Sequence, residues 1–349
     1  MRVLVTGGCG FIGSHVVRAL LADGHEVTNL DKLTYASNQA NVADVAASPA
    51  YRFVHGDICD PELVPLLVRD ADLVLNFAAE THVDRSLLDP AAFVRTDIEG
   101  VVCLLEAVRR HPEARLVHMS TDEVFGSLPP GVEADEDAPF APSSPYSASK
   151  AAAELQLRAY ASTYGLPLTV IRCCNVYGPA QHIEKFIPLF TTRALAGQEL
   201  PLYGDGLQER EWLFVEDLVA AVRLVVAEPA SEPGVRAIHV GSGERVANIE
   251  VARKICALVG APHHLIRPVT DRPGHDRRYA LDVSRLRARG WAPQVPFDEG
   301  LARTIRWYAD HPATWEGAAT PEFAAYMESQ YGSRLTQPVP DTVERLPNS

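Results

Sequence analysis

The run Gly7-Gly8-Cys9-Gly10-Phe11-Ile12-Gly13 constrains this chain more than any other stretch. It follows a short apolar segment, residues 3–6, and opens an amphipathic one that reaches about Ala22. Glycines there let the backbone turn sharply and approach an anion. A helix starting at the turn offers free N–H groups and the positive end of its dipole. A tight turn without a ligand would use the same glycines, so the context has to decide. A strand precedes, a helix follows, and a second predicted strand over 26–30 ends in Asp31, which together favour a dinucleotide site. A carboxylate there accepts hydrogen bonds from both adenosine ribose hydroxyls and repels a ribose phosphate. NAD is therefore favoured over NADP, with Lys32 next door acting in the opposite sense.

Strand and helix patterns go on alternating. A third predicted strand, 52–55, leads into Gly56-Asp57-Ile58, where Asp57 either reaches an adenine edge or caps a helix at Pro61. A fourth, 73–77, ends in Ala78-Ala79-Glu80-Thr81-His82-Val83-Asp84-Arg85-Ser86. Small residues at a strand's carboxyl end leave room for a cofactor in the crevice of the sheet. His82 and Asp84 have no third ligand spaced to join them, so this is a polar loop at the mouth of a site and no metal is expected. A helix over 94–109 and a strand over 115–119 follow. The alternation specifies an α/β fold, a Rossmann-like doubly wound parallel sheet covered on both faces.

The chemistry concentrates between Ser120 and Lys150. Ser120-Thr121-Asp122-Glu123 places a hydroxyl and two adjacent carboxylates in a loop after the 115–119 strand. Pro145-Tyr146-Ser147-Ala148-Ser149-Lys150 puts Tyr146 and Lys150 four apart, on one helix face. An ammonium beside a phenol favours the phenolate and lowers the tyrosine's pKa toward a working base. Hydroxyl, carboxylates and base together suit several proton transfers on one substrate.

After a strand over 168–172 come Cys173-Cys174-Asn175-Val176-Tyr177-Gly178-Pro179 and a segment rich in Pro and Gly. Another strand is expected over 238–241. The late run 271–279, with Arg272, His275 and four further charged residues, suits a nucleotide diphosphate and base, or else surface salt bridges. Six cysteines without C-x-x-C spacing read as reduced thiols. A formal charge of -13 argues against nucleic acid as a partner. No apolar run is long enough to span a membrane, and the start lacks a signal-peptide layout, so a cytoplasmic location is expected.

These residues resemble the extended short-chain dehydrogenase/reductase superfamily and, within it, the dTDP-glucose 4,6-dehydratase family. The resemblance spans roughly residues 1–332. It rests on Asp31-Lys32-Leu33-Thr34-Tyr35-Ala36, His82-Val83-Asp84-Arg85-Ser86, Ser120-Thr121-Asp122-Glu123-Val124, the run 143–150 and the run 271–279. The adjacent Asp122 and Glu123 separate it from sugar-nucleotide epimerases of the same fold. The chain departs from the family at Val176 and Ala180, where Asn and Tyr are usual, and at Ile183, where Pro is common.

The resemblance implies that Tyr146, supported by Lys150 and Thr121, removes the proton of a hexose 4-hydroxyl as hydride passes to NAD. Glu123 then takes the proton from carbon 5, and Asp122 protonates the departing 6-hydroxyl. It implies cofactor contacts at Gly7, Gly10, Phe11, Ile12, Gly13, Asp31, Lys32, Thr34, Ala36, Ser37, Asp57, Ile58, Ala78, Ala79, Tyr146 and Lys150. Nucleotide-sugar contacts are implied at Thr81, His82, Asn175, Glu184, Lys185, Pro201, Tyr203, Arg210, Asn248, Arg272 and His275. Residues 1–178, with a return segment of about 208–240, are expected to form the NAD-binding domain. Residues 179–207 and 241–332 would form a smaller, discontinuous α/β substrate domain, with a polar tail over 333–349. A homodimer is expected through the helices after Pro90 and Tyr146. The competing readings are a nucleotide-sugar 4-epimerase or uronate decarboxylase, which need no Asp–Glu pair, and a non-catalytic NAD-binding regulator.

Overall fold

The computed structural model describes residues 1–229, 232–316 and 321–336. Its largest element is a sheet of seven parallel strands: β1 (Arg2–Thr6), β2 (Glu26–Asp31), β3 (Tyr51–His55), β4 (Leu73–Asn76), β5 (Arg115–Thr121), β6 (Pro167–Cys173) and, far along the chain, Gly234–Val240. Its spatial order places β4 beside β1 and β3 at one edge, with Gly234–Val240 at the other. The chain runs outward from β1 in one direction, then returns to its far side, so the order reverses between β1 and β4. A crevice at that switch point, outside the carboxyl ends of the strands, is where such sheets bind ligands.

Both faces are covered, which is why the strands read as nearly unbroken apolar runs. Helix α1 (Phe11–Ala22) packs its Val16, Val17 and Leu20 on one face. Helix α2 (Leu63–Arg69) lies on the other with a helical run through Pro90–Phe93 (α3), Val94–Glu99 and Gly100–Arg110 (α4), and with α5 (Pro145–Tyr164). The helix expected over 94–109 is thus part of a longer run. Asp89 caps it ahead of Pro90, and residues 94–99 form a π-helical turn. Helix α5 begins with a capping box between Ser144 and Ser147, has Pro145 in its first turn and ends at Gly165 with φ 69°. Asp57 does not cap the helix near Pro61. Asp60 does, accepting from the backbone N–H groups of Glu62 and Leu63 at 2.9 Å.

Beyond β6 the chain builds smaller sheets. β7 (Asn175–Tyr177) pairs in parallel with β9 (Glu209–Phe214), which pairs antiparallel with Arg245–Ala247. β8 (Leu200–Tyr203) pairs with Ile266–Val269. Phe190, Leu200, Trp212, Phe214, Ile255 and Phe297 form the buried core around these strands. The strand expected over 238–241 is longer, Gly234–Val240 (β10), and its pairing with β6 runs from Gly234↔Pro167 to Val240↔Cys173. Residues 333–336 make a last helical turn, with Leu335 packed on the smaller core. The rest of the expected tail, 337–349, lies outside the described residues. No helix of the described residues is long and apolar enough to cross a membrane.

Candidate active site

Strand register lines up the carboxyl ends that build the site. Thr6 pairs with Asn76, and Thr121 pairs with Cys173. From these ends opens a cavity of about 300 Å³. Every residue expected to contact the cofactor lines it, from Asp31, Asp57 and Ile58 past the glycine loop to Tyr146 and Lys150. The loop depends on its glycines: Gly7 has φ 71°, and a Cβ there would come within 2.7 Å of the Ala78 nitrogen. On Gly13 a Cβ would collide with the Gly7 carbonyl. Asp31, 4% exposed, holds the loop from below by accepting from the N–H groups of Cys9 and Leu33, each at 2.8 Å. The carboxylate keeps further lone pairs for ribose hydroxyls. Lys32 lines the cavity too, its ammonium paired with Asp57 at 2.7 Å. The cavity therefore fits a dinucleotide in shape and in charge.

A second cavity, of about 150 Å³, adjoins the first. Glu123, Asn175 and Lys185 line both. His82, Glu184, Pro201, Tyr203, Arg210, Asn248, Arg272 and His275 line the second, while Thr81 faces the first. These residues hold one another in place. Arg85 pairs with the buried Glu184, whose backbone carbonyl accepts from the His82 ring at 2.7 Å. His82 takes φ 98°, a strained backbone that these contacts stabilise. Tyr203 donates to Asp84 at 2.9 Å, and Arg272 lies 3.5 Å from the same carboxylate. Lys185 donates to the Thr81 hydroxyl at 2.8 Å. His82 and Asp84 thus serve a polar wall, and no metal-binding cluster occurs among the described residues.

At the floor, β5 runs two residues further than the expected 115–119, so Thr121 ends the strand and Asp122–Phe125 form a 3-10 turn. Thr121 donates to Asp122 at 3.2 Å and accepts from the Glu123 N–H. Glu123 points into the cavities, but Asp122, 2% exposed, lies behind and lines neither. Burial raises the pKa of both carboxyls. Glu123 adds to the rise in Asp122, whereas Arg272, Arg210 and Lys185 oppose it in Glu123. The pair differs as two carboxyls with opposite roles must.

The expected lowering of Tyr146 by Lys150 is not what the protein's own groups produce. Burial, then Glu123 and Asp97, push the phenol well above its ordinary value. Lys150, only 4% exposed, donates to the Met119 carbonyl at 2.8 Å and is itself lowered by burial.

Three residues near the site carry no sequence signal of the kind used above. Asp97, in the π-helical turn and 1% exposed, accepts from Ser149 at 2.7 Å and from the Glu80 N–H at 2.8 Å. Gln181 and His182 line the first cavity from the loop after Ala180, which has φ 63°. A polar residue at a core position of an amphipathic helix would have marked Asp97; nothing local marks the other two. The cysteines are free, as expected. A larger cavity, of about 780 Å³, lies by edge strand β10, away from these groups. Of its arginines, Arg285 pairs with Glu136 and Asp137, while Arg236 and Arg289 pair with Glu228.

A doubly wound parallel sheet with Tyr146 and Lys150 at the carboxyl ends of its strands defines a short-chain dehydrogenase/reductase fold. A family model described as GDP-mannose 4,6 dehydratase matches residues 4–304. The dTDP-glucose 4,6-dehydratase of Streptomyces niveus is 48% identical over 334 residues, covering 93% of this chain and 97% of that one. The Escherichia coli K12 dTDP-glucose 4,6-dehydratase 1 is 42% identical and spans 96% and 100%. Among solved structures, a dTDP-glucose 4,6-dehydratase from Streptomyces venezuelae with NAD bound superposes with a TM-score of 0.87 at 47% identity, covering 91% of this chain and 100% of its own. A Thermus thermophilus UDP-glucose 4-epimerase is more distant, with a TM-score of 0.80 at 34% identity over 88% and 99%. This chain belongs to the dTDP-glucose 4,6-dehydratase family.

Proposed function

We propose that the chain is a hydro-lyase that uses NAD to convert dTDP-glucose to dTDP-4-keto-6-deoxyglucose. The observation that carries this reading is the position of Glu123. It lines both cavities, next to a buried carboxyl of raised pKa and on the same floor as Tyr146. A 4-epimerase needs the tyrosine and lysine but has no use for that pair.

When bound in the first cavity, which Tyr146 and Lys150 line, NAD would supply a reversible hydride acceptor and a positive charge that favours the phenolate. Tyr146 takes the proton of the 4-hydroxyl, and Thr121 holds that oxygen by a hydrogen bond. The 4-keto group acidifies carbon 5, where Glu123 removes the proton. Asp122, which lies behind Glu123 and lines neither cavity, would have to turn toward the sugar on substrate binding; its proton then goes to the 6-hydroxyl, the carbon–oxygen bond breaks and water leaves. Glu123 then returns its proton to carbon 5 as carbon 6 is reduced. Tyr146 ends with the 4-hydroxyl proton and Asp122 without its own, so Tyr146 releases one proton to solvent and Asp122 takes one up before the next turnover, and the cofactor ends as it began.

Arg210, Lys185, Arg272, His275, Tyr203, Pro201 and Asn248 would hold the nucleotide diphosphate, with Thr81, His82, Asn175 and Glu184 around the sugar. The domain division given above and a cytoplasmic location belong to the same reading. So does a homodimer: Val94 and Leu155 are each about half exposed on the helices after Pro90 and Tyr146. Incubation with a panel of nucleotide hexoses, followed by mass spectrometry, tests the function. Loss of one water from dTDP-glucose supports it, and an unchanged mass on every sugar contradicts it.

A further inference from the structure

Asp122, Cys174 and Gly241 lie side by side just past the ends of β5, β6 and β10. Thr121 pairs with Cys173, and the Cys174 N–H donates to the Val240 carbonyl at 3.1 Å. Strand β9 brings Glu211 onto this row. Its Oε1 accepts from the Gly243 N–H at 2.5 Å and packs so closely on Gly241 that a Cβ there would collide with it. Glu211 is 0% exposed and Asp122 2%. Each keeps one buried oxygen, Oε2 and Oδ2, without a hydrogen-bond partner among the described residues.

No cation forms an ion pair with either carboxyl among the described residues. Arg210 donates instead to the Glu209 and Asp276 carbonyls and lies 4.3 Å from the Tyr279 ring centroid. Arg245, opposite Glu211 in the strand register, pairs with Glu133. The groups that act on Asp122 are Glu123, Glu211, Arg210 and the Thr121 hydroxyl. Those that act on Glu211 are the Gly243 and Leu281 backbone, Arg245 and Glu133. A buried carboxylate at Glu211 raises the proton affinity of Asp122, as a nearby like charge does.

We infer that Glu211 is a positioning residue that keeps the proton on Asp122, so that the acid which releases water is loaded at neutral pH. This rests on the dehydratase reading. Its logic is that the Gly243 N–H stabilises the charge on Glu211 through a bond of 2.5 Å, whereas Asp122 accepts from the Thr121 hydroxyl at a longer 3.2 Å. Water loss then needs Glu123 ionised and Asp122 protonated, and Glu211 sets the upper pH at which both hold.

Infrared titration of the full-length protein tests this without turnover, the Asp122 carbonyl band being assigned by subtraction of Asp122→Asn. The band of the protonated acid is expected at pH 7 in the native chain. In Glu211→Gln its midpoint is expected to fall by about one pH unit or more, a tenfold or greater loss of proton affinity. In single turnovers of dTDP-glucose, the alkaline limb of water loss should fall with it, while sugar oxidation keeps its pH profile. NAD affinity, which Glu211 does not touch, reports that the variant is folded. An ionised Asp122 at pH 7 in the native chain, or an unmoved midpoint in Glu211→Gln, overturns the inference. Failure of the native protein to dehydrate the sugar overturns the dehydratase reading instead, and the infrared result remains readable.

Discussion

Lys32 and Asp57 form an ion pair of 2.7 Å at the rim of the dinucleotide cavity, which neutralises the one cation adjacent to Asp31. The negative charge of Asp31 therefore faces the adenosine ribose without local opposition. NAD should bind much more tightly than NADP, as measured by calorimetry. Asp57→Ala should improve NADP binding by releasing Lys32. Asp31→Ala should narrow the gap but also weaken NAD, because it removes one backbone hydrogen bond from the glycine loop at Cys9 and one from the chain after β2 at Leu33, each worth about 1.5–3 kcal/mol to a charged acceptor. Equal affinity of the intact protein for both cofactors contradicts this account.

Oxidation and elimination should separate by mutation. Tyr146→Phe removes the base of the first step and should abolish both the reduced-cofactor absorbance and the product. Glu123→Gln should still oxidise the sugar and then stall, so that reduced cofactor builds up on the enzyme in stopped-flow absorbance. Normal product formation by Glu123→Gln would remove Glu123 from the mechanism.

Asp97 should make stability depend on pH. Burial, opposed by Lys150, Ser149 and the Glu80 N–H, raises its pKa to about 6, against about 3.9 in an unfolded chain. The folded state then holds the proton more tightly, so this contribution is full below about pH 4 and is lost as pH rises through about 6. The loss is about 3 kcal/mol. Asn mimics the protonated acid: its oxygen accepts from the Glu80 N–H and its amide donates to the Ser149 hydroxyl, which can still donate to the Tyr146 carbonyl. Asp97→Asn should therefore gain on the native chain between pH 4 and pH 7 in urea titrations. A stability difference that stays constant over that range contradicts the assignment.

A buried ion pair supports the catalytic floor from behind. Arg172 and Glu154 are both 0% exposed and 2.8 Å apart, and Glu154 also accepts from Ser120 at 2.6 Å. Removing one partner strands a charge, so Glu154→Ala should cost about 3–5 kcal/mol in chemical denaturation. A cost below 1 kcal/mol would show that the pair is dispensable.

Much of this was legible in the chain because the signals were local. The glycine loop, the acidic end of β2 and the Tyr146–Lys150 spacing each lie within a few residues, and the cavity gathers all of them. The rest depended on long-range pairing. The resemblance brings Arg210, Glu184 and Lys185 to the site, but nothing local in sequence says that Glu211 lies on the row of Asp122 or that Gln181 lines the first cavity. Val176 stands where the family usually has Asn; in the fold it is a buried wall of the first cavity, whose carbonyl accepts from Gln181 at 2.9 Å. The charge state of Tyr146 was misjudged for a related reason. Spacing showed the lysine one turn away but not the depth of burial or the carboxyls at Asp97 and Glu123.

The central claim is that one chain oxidises a nucleotide hexose at carbon 4 and spends the same hydride at carbon 6 as water leaves. The direct measurement uses dTDP-glucose carrying deuterium at carbon 4, with mass spectrometry and proton NMR of the product. The account predicts a 4-keto-6-deoxy sugar that has lost one water and retains the deuterium at carbon 6. A product of unchanged mass, or an epimer with deuterium still at carbon 4, would contradict it.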